Sequence, residues 1–155
     1  MGQLAPGDNA PSFELPTDDG GSASLAAFRG RKLVIFFYPG DDTPTCTTEA
    51  LDFTTAMADF EAAGTTVLGI SPDSVKSHAR FRQKRGLGVL LASDETKDVV
   101  EAYGVWQEKQ MYGRTYMGVV RTTFLIDAEG RIARIWPKLK VKGHVAEVLA
   151  AARAL

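Results

Sequence analysis

Leu33-Val-Ile-Phe-Phe-Tyr38 is an unbroken β-branched and aromatic run with no polar position to face solvent, which predicts a strand buried on both sides. Thr66-Val-Leu-Gly-Ile70 and Thr122-Thr-Phe-Leu-Ile126 resemble it, and the three predict a central sheet. Apolar positions at helical spacing predict helices over 46–62, 74–85, 95–103 and 144–154. Asp127-Ala-Glu-Gly130 is a turn sequence leading into Arg131-Ile-Ala-Arg-Ile-Trp136, so the last two strands are expected as an antiparallel hairpin. At the other end, an extended stretch at Phe13–Leu15 and a turn at Asp18–Gly21 predict an N-terminal β-hairpin. Together these describe an α/β fold, a mixed sheet with helices on both faces, in one domain over 1–155.

Composition narrows the function classes. A chain of 155 residues, 45% hydrophobic and 24% charged, has the makeup of a globular domain with its own core. Its net charge of −1 gives no drive toward nucleic acid or anionic membrane. The basic cluster Lys76-Ser-His-Ala-Arg-Phe-Arg-Gln-Lys-Arg85 is read as a solvated helix face. The N-terminus Met-Gly-Gln-Leu-Ala-Pro-Gly-Asp shows no export or lipidation signal, and Leu33–Tyr38 falls far short of the ~20 apolar residues that cross a bilayer. A cytoplasmic protein without membrane or nucleic-acid partners is expected.

Cys46 is the only cysteine, so no internal disulfide and no multi-cysteine metal site can form. It sits where the first strand pattern gives way to a helical one, with Thr43 or Thr45 as candidate N-cap and Glu49 expected in the first turn. Unpaired N–H groups and the helix dipole favour an anion there. A free thiol is only about 3% thiolate at pH 7, and bringing it to pKa ~6 requires roughly 3.4 kcal/mol. The dipole supplies ~0.3–1 kcal/mol, up to ~2 when partly buried, so a cation from elsewhere in the chain is needed. On a helix through 62, Phe53, Met57 and Phe60 fall within roughly 40° of Cys46, which predicts a thiol facing the core. His78 and His144 stand alone in the sequence, with no metal-ligand or catalytic spacing.

The segment Phe36-Phe-Tyr-Pro-Gly-Asp-Asp-Thr-Pro-Thr-Cys-Thr-Thr-Glu-Ala50 resembles the active-site loop of peroxiredoxins, with Pro39, Thr43 and Cys46 filling P-x-x-x-T-x-x-C. Far downstream, Tyr103 to Asp127 is similar to the peroxiredoxin Q branch, also called bacterioferritin comigratory protein, and supplies Arg121 as the family's active-site arginine. Gly69-Ile-Ser-Pro-Asp73 and Leu91-Ala-Ser-Asp94 extend the likeness.

The resemblance implies a thioredoxin-like fold and a thiol-dependent peroxidase acting on hydrogen peroxide and organic hydroperoxides without metal or organic cofactor. Cys46 would be the nucleophile and become a sulfenic acid, Arg121 its cationic partner, Thr43 a hydroxyl on thiolate and peroxide, and Pro39 a lid limiting water. Glu49 would orient Arg121. Trp106, Tyr112 and Tyr116 are placed around the pocket, or else in core or rim packing.

Many members of that branch carry a resolving cysteine five residues after the first, or on a later helix. Leu51 stands at the nearer position, and no second cysteine follows. The chain therefore resembles a one-cysteine member, reduced by an external thiol such as thioredoxin, glutaredoxin with glutathione, or another small thiol, as a monomer or weak homodimer. The alternative is a peroxide sensor that signals through oxidised Cys46. A thioredoxin-type disulfide reductase is disfavoured because Thr43 stands where C-x-x-C needs a cysteine.

Overall fold

The computed structural model describes residues 3–155. Met1 and Gly2, part of the N-terminus read above as free of export or lipidation signals, lie outside the described residues. The chain opens with a short antiparallel hairpin, β1 (Glu14–Pro16) and β2 (Ser22–Ser24), in which Leu15 pairs with Ala23. A single 3-10 turn at Ala26–Phe28 leads into β3 (Lys32–Phe37).

Strand β3 is the centre of a five-stranded sheet. It pairs in parallel with β4 (Thr65–Ser71), which pairs in parallel with β5 (Leu90–Ser93). On its other side it pairs antiparallel with β8 (Thr122–Ile126), which forms the expected hairpin with β9 (Ile132–Trp136). The order is β5-β4-β3-β8-β9, a mixed sheet. The turn into β9 is held by Asp127, whose Oδ1 accepts the backbone N–H groups of Glu129 and Arg131 at 2.9 Å. A second hairpin, β6 (Trp106–Met111) with β7 (Arg114–Val119), stands as its own two-stranded sheet.

Alternation along β3 divides the core in two. Leu33, Ile35 and Phe37 join one cluster with Phe13, Leu15 and Phe124, and with Val99 and Val100 of α4 (Asp98–Ala102). Val34, Phe36 and Tyr38 join the other, together with Cys46 and Phe53 of α1 (Pro44–Thr55) and Phe60 of α2 (Met57–Ala62). Phe81 of α3 (Val75–Arg85) and Val145, Val148 and Leu149 of α5 (His144–Ala154) complete that second cluster. Both faces are therefore covered, which is why β3 beyond Lys32 needs no polar positions. Among the described residues no helix is long and apolar enough to cross a membrane.

Three expectations are corrected. The helix over 46–62 is two helices, interrupted at Ala56 (φ −92°, ψ 3°). The Thr54 hydroxyl donates to the Ala50 carbonyl and also accepts the Gly88 N–H, and such a threonine back-bond bends a helix. Phe53 and Phe60 stay buried, but Met57 turns outward and is 38% exposed. The aromatics Tyr112 and Tyr116 belong to the β6–β7 hairpin, and Tyr112, at its tip, is 97% exposed, so neither is buried around a pocket. The basic stretch of α3 is solvated at Lys76 and Arg80, but Arg82 turns inward to Asp18 and to the Leu87 and Val89 carbonyls.

Candidate active site

The site forms where β3 ends. Tyr38 continues the strand for one more bond, its N–H donating to the Ile70 carbonyl at 3.2 Å. The chain then turns through Pro39–Thr43 and enters α1 with Pro44 at the first helical position, where a missing N–H costs nothing. Thr43 is the N-cap residue, and its carbonyl accepts the Thr47 N–H at 2.9 Å. Its hydroxyl does not cap the helix but donates to the Gly40 carbonyl at 3.2 Å. Cys46 therefore lies in the first turn, where the N–H groups have no intrahelical acceptor. Glu49 lies one turn further on than expected, so no acid occupies the first turn.

Arg121 immediately precedes β8. The antiparallel register that sets Phe37 opposite Thr122 brings it to the same sheet end as the loop after β3. Its carbonyl accepts the Leu139 N–H at 3.2 Å, which ties its backbone to the segment after β9. One guanidinium nitrogen donates to Cys46 Sγ at 3.0 Å, and the other donates to Glu49 Oε1 at 2.7 Å. A single planar fork thus spans a sulfur and a carboxylate one helical turn apart. Cys46 is 1% exposed and Glu49 is fully buried.

Burial pushes the Glu49 carboxyl up to about 7, with the Arg121 guanidinium offsetting only part of the effect. Among the described residues its second oxygen, Oε2, has no hydrogen-bond partner, in keeping with that desolvation. Burial alone would lower Arg121, but the adjacent Glu49 and Cys46 outweigh it and hold its proton more firmly than usual. The arrangement is a shielded sulfur faced by a permanent cation, able to receive an electrophile and to stabilise negative charge developing beside it.

Of the residues expected from sequence, Cys46, Glu49 and Arg121 meet directly. Thr43 and Pro39 lie in the exposed loop leading to Cys46, and neither is hydrogen-bonded to the sulfur. Leu51 is 37% exposed, on a different face of α1 from the buried Cys46, as their angular separation requires.

Sequence reasoning missed Asp41 and His78. They join this loop to α3, with Asp41 Oδ2 and His78 Nδ1 2.8 Å apart. The available signal was the pair Asp41-Asp42 inside the loop facing a basic helix, but nothing local names their partners.

Comparison with known proteins bears on the same residues. A family model described as the AhpC/TSA family matches residues 6–135. Peroxiredoxin Bcp of Bacillus subtilis is 45% identical over 143 residues, covering 92% of this chain and 91% of the relative. Peroxiredoxin Bcp of Xanthomonas campestris is 46% identical over 147 residues, covering 94% and 92%. Among solved structures, a Xylella fastidiosa PrxQ superposes with a TM-score of 0.93 at 37% identity, covering 99% and 98% of the two chains. Xanthomonas campestris peroxiredoxin Q gives 0.87 at 45% identity, covering 92% and 90%. The thioredoxin-like fold, the matched family and these relatives agree with a buried lone cysteine gripped by an arginine, and the chain belongs to the AhpC/TSA family, as a peroxiredoxin of the Bcp branch that lacks a resolving cysteine.

Proposed function

We propose that this thiol-dependent peroxidase reduces hydrogen peroxide and organic hydroperoxides through the Cys46 thiolate, with Arg121, Thr43 and Pro39 completing its active site. The observation that carries the assignment is the Arg121 guanidinium, bonded to Cys46 Sγ and to buried Glu49 at once. The thiolate attacks the terminal peroxide oxygen, an S–O bond forms, and the O–O bond breaks with its electron pair leaving on the second oxygen. That oxygen takes a proton and departs as water or an alcohol, while Cys46 becomes a sulfenic acid. Arg121 and the first-turn N–H groups stabilise the charge building on the leaving oxygen. The Thr43 hydroxyl, engaged with Gly40 in the resting loop, turns to thiolate and peroxide when substrate enters, and Pro39 limits water at the rim. Glu49 fixes the plane of the guanidinium.

With no second thiol in the chain, an external thiol attacks the sulfenic sulfur and expels water, leaving a mixed disulfide. A second thiol then releases the Cys46 thiol and carries away the reductant's disulfide. Thioredoxin, glutaredoxin with glutathione, or another small thiol fits this chemistry, and the cytoplasm supplies all three. A structure of the Xanthomonas campestris bacterioferritin comigratory protein addresses its alkyl peroxide reduction activity, which supports organic hydroperoxides as substrates here. Helix α5 lies beyond the matched family segment yet packs into the Cys46 core cluster, which supports residues 1–155 acting as one domain; we propose that it acts as a monomer or weak homodimer.

Stopped-flow mixing with peroxide tests the proposal. One equivalent should be consumed per protein without thiol, many with thiol, and none by Cys46→Ser. Consumption that halts at one equivalent even with thiol present would mark a peroxide sensor instead.

A further inference from the structure

The loop leading to Cys46 is held by a buried aspartate–histidine pair that the chemistry above does not use. His78 of α3 is fully buried. Its Nε2 lies 3.0 Å from the Ala92 carbonyl oxygen, and its Nδ1 lies 3.0 and 2.8 Å from Oδ1 and Oδ2 of Asp41. Asp41 in turn accepts from Tyr38 Oη and from Ser77 Oγ, each at 2.7 Å. Burial would raise the Asp41 carboxyl, yet the hydrogen bonds from His78, Ser77 and Tyr38 hold it below its ordinary value. The Ala92 carbonyl can only accept, so Nε2 carries a ring proton, and Nδ1 faces the Asp41 carboxylate.

The surroundings tie this pair to the loop. The Asp41 N–H donates to Asp73 Oδ2 at 2.8 Å, and Ser71 Oγ donates to the same oxygen at 2.7 Å. One residue on, Asp42 holds a left-handed φ of 59° and pairs with Lys84 at 2.6 Å and Arg85 at 2.8 Å. The Asp42 pairs are largely exposed and restrain little. The buried pair resists opening, because separating it strands a charge away from water. Tyr38 also lies 3.4 Å from His78 Nδ1 and ends the strand from which the loop departs. The clamp therefore grips the loop at its root and at its middle, while His78 Nε2 anchors it to β5.

We infer that Asp41 and His78 are positioning residues for the peroxidase reaction, holding in place the loop 39–43 that leads into Cys46, so that a small peroxide reacts fast while a larger thiol must wait for the loop to open. The inference rests on the peroxidase function proposed above. It assigns the two half-reactions opposite dependences on one buried pair, because the 1% exposure of Cys46 serves the first and obstructs the second.

Asp41→Asn, His78→Gln and the double variant test it in single turnovers, with hydrogen peroxide for oxidation and glutathione as the reducing probe. Oxidation should slow by about 10- to 100-fold in each single variant, the cost of a displaced loop beside the reacting atom. The double variant should be no slower than the worse single, since the residues act as a unit. Reduction of the sulfenic form should quicken by roughly three- to tenfold as the open loop gains population. Circular dichroism identifies any variant that fails to fold, and Asp41→Asn, isosteric with the native residue, keeps the test open if His78→Gln does. Proton-nitrogen correlation NMR of wild-type His78 should show a proton on Nε2.

Oxidation within about twofold of wild type in Asp41→Asn overturns the inference, with RT-level effects too small for a positioning role. So does a parallel slowing of both half-reactions, which would mark a merely structural pair, or a His78 ring without a proton on Nε2. Failure of the peroxidase function itself is distinct, because wild-type protein would then leave peroxide unconsumed.

Discussion

In the proposed mechanism Arg121 carries the largest share of reactivity, because its two donors serve different partners. A lysine there keeps a cation but lacks the fork that reaches Cys46 and Glu49 together. Arg121→Ala should lower the rate of peroxide reduction by about 10²–10³-fold, as loss of a donor to developing negative charge does. Arg121→Lys should fall between it and wild type, and stopped-flow rates with hydrogen peroxide check both; equal rates for Arg121→Ala and wild type would remove the arginine from the mechanism. Cys46, Arg121 and Glu49 were legible because motif positions constrain residue type. Asp41 and His78 were not, because a histidine that stands alone in sequence acquires its partner only when α3 packs beside the loop. Thr43 was half legible: its place as N-cap is as expected, whereas its hydroxyl bonds Gly40 and not a helical N–H.

Among the elements, α1 places the thiol, and it is seated by aromatic packing on β3. The Phe53 ring stacks on Phe36 with centroids 4.7 Å apart, and Phe36 fills the space above Gly69 of β4. A Cβ at Gly69 would lie 2.6 Å from the Phe36 ring and 2.9 Å from the Leu91 side chain. Gly69→Ala should therefore destabilise the fold by about 1–3 kcal/mol through overpacking, read as a lowered urea midpoint, and should slow Cys46 oxidation by tilting α1. Tyr112→Ser, at the exposed tip of β6–β7, should change stability by no more than about 0.5 kcal/mol and leave the oxidation rate unaltered. A large effect there would mean that the hairpin contributes to the site after all. The strands β3, β4, β8 and β9 were readable because their patterns match their burial. The β6–β7 hairpin was not, since Gln107, Glu108, Lys109 and Gln110 carry no alternating apolar face. The break at Ala56 was hidden for another reason, because it depends on Thr54 meeting Gly88 from a distant loop.

For the whole molecule, two buried titrating groups act on stability in opposite directions. The native Glu49 keeps its proton up to about 7 where the ordinary value is 4.5, so its contribution to stability falls as pH rises through that window, by roughly 1–3 kcal/mol. Burial lowers His144 from 6.5 to about 4, so its contribution is lost as pH falls through the range between those values. Urea unfolding of the wild type at pH 5 and pH 6.5 should therefore differ little. Glu49→Gln should be more stable at the higher pH than at the lower, whereas His144→Gln should show the reverse; parallel profiles for the two variants would refute the assignment. The solitary thiol also makes reduction depend on another molecule. Peroxide-treated protein should keep its sulfenic acid and its helical circular dichroism until thiol is added, and loss of the sulfenic acid without thiol or a Cys46-linked dimer would contradict this. The sequence by itself determined a doubly covered sheet, a thiol at a helix start and the lack of a second cysteine, because burial periodicity, turn chemistry and residue identity are local properties. Only the tertiary structure decided that Arg121, 75 residues from Cys46, donates to its sulfur while gripping Glu49, and that His78 clamps Asp41. Those contacts follow from the antiparallel register of β3 with β8 and from the packing of α3 against the loop, long-range choices that no stretch of chain encodes alone.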